Sequence, residues 1–180
     1  MATTSLPTSQ QLDWSGNALH VTDIVASGSV YAGGTALSTS ATTVTAAELA
    51  VTKSAHAGTT VVLSKVDGQT VTMPAAVAAD VGTKYRFILG ATTTSNAYVI
   101  SAAGDDLFHG VAAMGDSTDG TAHIWATSTN TNTITLGGTA NATGGMIGTL
   151  IELEVMAVDA YRVTILGDAA GTEASPFSHV

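Results

Sequence analysis

An all-β fold is what this sequence predicts: an antiparallel β-barrel or jelly-roll-like sandwich with an extended N-terminal arm and one short helix. Three observations predict it. Beyond residue 59, short runs rich in Val, Ile, Thr and Tyr recur about every 8–12 residues, the spacing of all-β domains rather than βαβ units. Turn-forming stretches such as VDG, GATTTSN, GDSTDG and GGTANATGG separate them. Charged residues make up 11% of the chain, where roughly a quarter is usual. The surface must then be built from Thr, Ser, Asn, Gly and Ala, a composition common in rigid β proteins that pack against neighbours.

Residues 1–42 are polar with scattered anchors, Leu12, Trp14, Val21, Ile24 and Tyr31 among them. The run HVTDIV suits one short strand, and SGSVYAGGTALSTS reads as loop or extended chain. Such a segment is too polar to make a core of its own. Its anchors either fold back onto their own barrel or dock on another protein, where buried aromatic residues supply most of the binding energy. Next, Thr45 with Glu48 forms a capping-box pattern ahead of Leu49, which predicts one or two helical turns. Strands are predicted over residues 59–64, 69–73, 84–89, 97–101, 107–114, 122–127, 132–136, 148–156 and 160–166, with a helical turn after Pro74. The domain is placed at residues 43–166 and a Gly-, Ser- and Pro-containing tail at 167–180. No internal repeat is evident.

Net charge is −9 with five basic residues. Phosphate contacts need clustered Lys or Arg, so nucleic acid is not an expected partner, and an anionic membrane surface is equally disfavoured. Without cysteine there are no disulfides and no thiolate metal sites. MATTSLPTSQ has neither the basic nor the apolar region of a signal peptide, and no stretch reaches the roughly 18–20 apolar residues that span a bilayer. A soluble product made in the cytoplasm is the expectation.

Candidate chemistry centres on IELEVMAVDAYRVTIL, residues 151–166. Glu152 and Glu154 would lie on one strand face, roughly 6.5–7 Å apart, a separation also used by glycosidase carboxylate pairs. Alternation favours another reading. A short AVD turn pairing Met156 with Ala160 sets Val155 against Tyr161, Leu153 against Val163 and Ile151 against Ile165. The outer face then pairs Glu154 with Arg162 and Glu152 with Thr164, a cross-strand ion pair that fixes register. Asp105, Asp106 and His109 in GDDLFHG, and Asp116 and Asp119 in GDSTDG, are oxygen- and nitrogen-bearing side chains without the alternate-carboxylate spacing of a calcium loop; turn formation explains them. His20, His56, His109, His123 and His179 show no metal-ligand spacing and read as isolated. No G-x-S-x-G elbow or phosphate loop is present. The expectation is a protein without catalytic, cofactor or metal residues.

Four stretches carry a family resemblance: TVTAAELAV, TTVVLSKVDGQTVTMPAA, GTKYRFILGATTTSNAYVISAAGDDLFHG and GTLIELEVMAVDAYRVTILGDAAGTEASPFS. Across residues 43–178 the chain resembles small structural proteins of tailed, especially marine, phages. In that group a Thr-x-x-Glu-Leu segment precedes a β domain with similar strands; where its members often carry Trp in the last hairpin, this chain has Tyr161. The resemblance implies a virion protein on the capsid exterior, a decoration (cement) protein. It would form a homotrimer, bind the major capsid protein and staple neighbouring capsid subunits. The resemblance does not cover the first 42 residues; from the arm's own anchors, Leu12, Trp14, Val21, Ile24 and Tyr31 are the residues expected to contact the major capsid protein or a neighbouring subunit. The alternative is a head-fibre or tail-fibre domain that binds host glycans.

Overall fold

The computed structural model describes residues 41–116 and 118–180, together with the backbone pairing of Tyr31–Ala32 and Thr35–Ala36. Leu12, Trp14, Val21 and Ile24 lie outside the described residues, as does HVTDIV; of Tyr31 only the backbone is described.

Among the described residues, fourteen strands follow one another: β1 (Tyr31–Ala32), β2 (Thr35–Ala36), β3 (Ala41–Val44), β4 (Glu48–Ala50), β5 (Thr60–Leu63), β6 (Gln69–Thr72), β7 (Lys84–Leu89), β8 (Ala97–Ser101), β9 (Leu107–Asp116), β10 (Ala122–Ala126), β11 (Thr133–Gly137), β12 (Leu150–Ala157), β13 (Ala160–Ala169) and β14 (Phe177–Ser178). β1 and β2 form a small hairpin. The rest build a seven-stranded sheet, ordered β10-β9-β13-β12-β7-β5-β3, and a five-stranded sheet, ordered β14-β11-β8-β6-β4. No ladder joins the two sheets among the described residues, so the fold is a two-sheet sandwich rather than a closed barrel.

Alternation decides which face each strand buries. Along β7, Tyr85, Phe87 and Leu89 are buried while Lys84 and Arg86 are exposed. β12 and β13 do the same with Ile151, Leu153, Val155, Tyr161, Val163 and Ile165. The smaller sheet answers with Val71, Tyr98, Ile100, Ile134 and Leu136, and all these side chains join one continuous core. Tyr161 sits among aromatic rings, its centroid 6.0 Å from Phe108 and 6.5 Å from Tyr85, and its hydroxyl donates to the Pro74 carbonyl at 2.5 Å. Burial pushes that hydroxyl's pKa above its ordinary value.

Strand direction departs from the expected antiparallel plan. From β3 to β8 the chain alternates between the two sheets, so β3, β5 and β7 are parallel neighbours in one and β4, β6 and β8 in the other. Parallel neighbours need a crossover, and here each crossover runs through a strand of the opposite sheet. The result is a short coil whose successive turns advance by 19 residues (Ala41 to Thr60) and 26 residues (Thr60 to Arg86). Unequal turn lengths leave no sequence repeat. β9 and β13 add a further parallel ladder, ten residues long.

The capping-box expectation at Thr45 is also corrected. Glu48–Ala50 pairs with Thr70–Thr72 as a strand, and the Ala47 carbonyl accepts the Thr70 N–H at 2.9 Å. A capping box satisfies two local donors; the ladder satisfies the whole segment and packs Leu49 against the core. The one-turn helix comes later, at Lys53–His56, and the turn after Pro74 is a 3-10 turn at Ala78–Asp80. β13 runs to Ala169, and Phe177–Ser178 pairs with β11, so ordered strands continue into the C-terminal tail.

Candidate functional site

The β12–β13 hairpin has the expected register: Ile151↔Ile165, Glu152↔Thr164, Leu153↔Val163, Glu154↔Arg162 and Val155↔Tyr161. Its tip differs. Ala157, not Met156, faces Ala160; Met156 is bulged out and Val158–Asp159 make the turn. Asp159 takes the positive φ of 57° that the turn requires, a conformation short polar side chains tolerate.

On the outer face, β7 brings two more cations into line. Lys84 stands beside Glu154, and Arg86 beside Glu152. Each glutamate is thereby matched across the ladder: Arg162 Nη1 lies 3.9 Å from Glu154 Oε2, and Arg86 Nε lies 3.8 Å from Glu152 Oε1. An open groove of about 360 Å³ runs over this face, floored by these residues and by Gly58, Thr59 and Thr60. It holds three of the chain's five basic residues. Glu154 and Arg162 therefore form the cross-strand pair expected from alternation, in solvent that weakens it. A double-mutant cycle of Glu154→Ala and Arg162→Ala is expected to give a coupling of about 0.2–1 kcal/mol, falling as salt is raised. Urea unfolding of the four proteins measures it.

The acidic loops separate into different roles. Asp106 is buried and accepts the Ala76 N–H at 2.7 Å, tying the loop before β9 to the segment after Pro74. Burial raises its pKa from the ordinary value, the Ala76 hydrogen bond working in the opposite sense. Asp105 is exposed, and His109 stands opposite Arg162 on β9. Asp119 accepts both the backbone N–H (2.9 Å) and the hydroxyl (2.6 Å) of Thr121, closing the β9–β10 turn. His56 Nδ1 accepts the Thr52 N–H at 3.0 Å within the one-turn helix.

One histidine is not isolated. Ligand atoms of Asp116 at the end of β9, His123 on β10 and Glu173 beyond β13 all lie within 4.8 Å of one another. Asp116 Oδ1 accepts the Thr118 N–H at 2.6 Å. That bond holds its carboxyl below the usual carboxylate range, against the effect of burial. His123 Nε2 is 3.5 Å from Glu173 Oε2, and its ring stacks on Trp125 at 5.6 Å. Asp116 was legible as a turn residue. Its convergence with His123 and Glu173 was not, because the tail that carries Glu173 is brought back across the hairpin by tertiary structure alone.

Fold and sites together define an all-β sandwich of two mixed sheets bearing a charged outer groove and a small acid–histidine cluster. No protein-family model, curated protein or solved structure matches the chain.

Proposed function

We propose that this is a structural virion protein, a capsid decoration (cement) protein that binds the assembled phage head from outside as a homotrimer and bridges major capsid protein subunits. The sequence resemblance over residues 43–178 motivates the reading. The observation that carries it is an apolar end of the sandwich. There the loop after Pro74 and the β12–β13 tip are joined by hydrogen bonds from Gly82 N–H to the Val155 carbonyl and from Asp159 N–H to the Ala76 carbonyl. These two segments expose Val77 (45%), Val81 (56%), Met156 (52%) and Val158 (54%). Grouped exposed apolar side chains on a polar, acidic surface suit a protein–protein contact. Among the described residues, the exposed strands β3 and β4 lie at one edge of each sheet with no strand on their outer side, an arrangement suited to pairing by a neighbour.

A cement protein acts by mass action: binding the expanded lattice and not its alternatives stabilises that lattice. Purified capsids carrying the protein are therefore expected to withstand higher temperature than capsids lacking it. Val158→Asp should fold normally yet occupy fewer sites. Equal heat resistance with and without the protein would sink the cement reading. Hundreds of copies per particle fit decoration, whereas a few dozen or fewer would fit the fibre alternative. In the proposed role Glu152 and Glu154 perform no catalysis, and Glu154→Gln leaves capsid stabilisation unchanged.

A further inference from the structure

We propose that Asp116, His123 and Glu173 form a binding site for one divalent transition-metal ion of the zinc class. Two carboxylates and an imidazole converge within 4.8 Å, and carboxylates so placed repel unless a cation or a shared proton lies between them. The Glu173 side chain is 8% exposed. Its Oε1 is buried and accepts no hydrogen bond from any described residue. A carboxylate oxygen withdrawn from water without a donor calls for a counter-charge, and the same carboxylate meets His123 through its other oxygen.

The donor set selects the metal. Calcium takes about 6–8 oxygen ligands, more than this cluster offers. An imidazole with two carboxylates suits zinc and its neighbours, three protein ligands leaving one position for water. A tetrahedral ion with bonds of roughly 2.0–2.2 Å sets ligand atoms about 3.3–3.6 Å apart. His123 Nε2 and Glu173 Oε2 already stand at 3.5 Å; the widest spread, 4.8 Å, closes by a small side-chain rotation. The Thr121 hydroxyl donates its proton to Asp119 at 2.6 Å, so in the 3.0 Å contact between Thr121 and His123 the ring N–H is the donor. A metal ion would take the place of that proton, which moves to Nδ1 from the neutral ring or leaves to solvent from the imidazolium, so that the ring coordinates as neutral imidazole. Bound metal would join three separate segments: the end of β9, the edge strand β10 and the chain after β13. That last segment already touches the first through the Gly171 N–H, 3.4 Å from the Thr118 hydroxyl.

The test uses the full chain, stripped with a chelator and exchanged into metal-free buffer. Titration with Zn²⁺ against a chromogenic chelator should find one ion per chain that depends on these three residues. Glu173→Gln and His123→Ala should each weaken it by at least the roughly 10–100-fold that loss of even an outer-shell partner costs, while His56→Ala leaves it unchanged. Co²⁺ should give the intense visible absorption of a tetrahedral site in the parent and in His56→Ala, and not in His123→Ala. Circular dichroism confirms that each variant is folded; if Glu173→Gln is not, His123→Ala decides. A folded parent that binds no Zn²⁺, or undiminished binding in either folded ligand variant, overturns the proposal.

Discussion

Gly110→Ala is expected to cost more than about 4 kcal/mol, a loss in the exceptional range for one substitution and most of the stability of a domain at the low end of the usual 5–15 kcal/mol or so. Gly110 lies within β9, paired with Val163 of β13, at a φ of 157°. A Cβ there would overlap the carbonyl oxygen of Val163, and Val163 Cγ1 would stand 3.1 Å away. The obstruction is backbone, so no rotamer change relieves it. Moving β9 outward would break its ladder with β13 and also the two bonds to Thr127, at 3.0 Å from the Gly110 amide and 3.0 Å to its carbonyl. Urea unfolding followed by far-UV circular dichroism measures the loss. A decrease below about 1 kcal/mol, the centre of the range for ordinary substitutions, would show that the ladder yields easily.

Tyr161→Ala is expected to cost about 3–5 kcal/mol, as for other large aromatic truncations in cores. The ring is fully buried and fills the space between Phe108 and Tyr85. Tyr161→Phe separates the ring from its hydroxyl. It keeps the packing and removes the donor to the Pro74 carbonyl, for an expected loss of about 1–2 kcal/mol. The order Ala much worse than Phe, and Phe worse than the parent, follows from this geometry. Thermal unfolding of the three proteins checks it; a Phe variant as unstable as the Ala variant would mean that the hydroxyl, not the ring, holds this end of the sandwich.

The parts of the molecule legible in the sequence are those in which neighbours in space are also neighbours in the chain. KYRFIL and AYVIS were readable to the residue because a half-buried strand writes its face into every second position. The register of β12 and β13 followed from one hairpin, and only its bulge at Met156 escaped, since Met156 and Ala157 are both exposed and lead straight into the turn, where no alternation is left for the extra residue to shift. The parallel ladders were not legible: β3, β5 and β7 meet through crossovers of unequal length, and nothing local in Thr42 or Val61 announces its partner. The same holds for the acid–histidine cluster. Asp116 and His123 are joined by a hairpin turn, but Glu173 reaches them only because β13 lies between β9 and β12 and carries the tail to that end.

That central position of the β12–β13 hairpin bears on how the chain is made. β12 pairs with β7, and β13 with β9, so the large sheet is completed by the last two of its own strands in chain order. At the usual 5–20 residues per second or so, 180 residues take roughly 10–35 s to translate. For roughly a third of that time, from Leu89 to Ala157 for β7 and from Asp116 to Ala169 for β9, each has an edge still waiting for its partner. Such non-local pairing folds slowly and leaves strand edges open to other chains. A nascent or truncated chain ending before Ala160 would lack β13 altogether. The seven-stranded sheet would then be left in two pieces, β10–β9 and β12–β7–β5–β3, each with an edge that β13 would have paired.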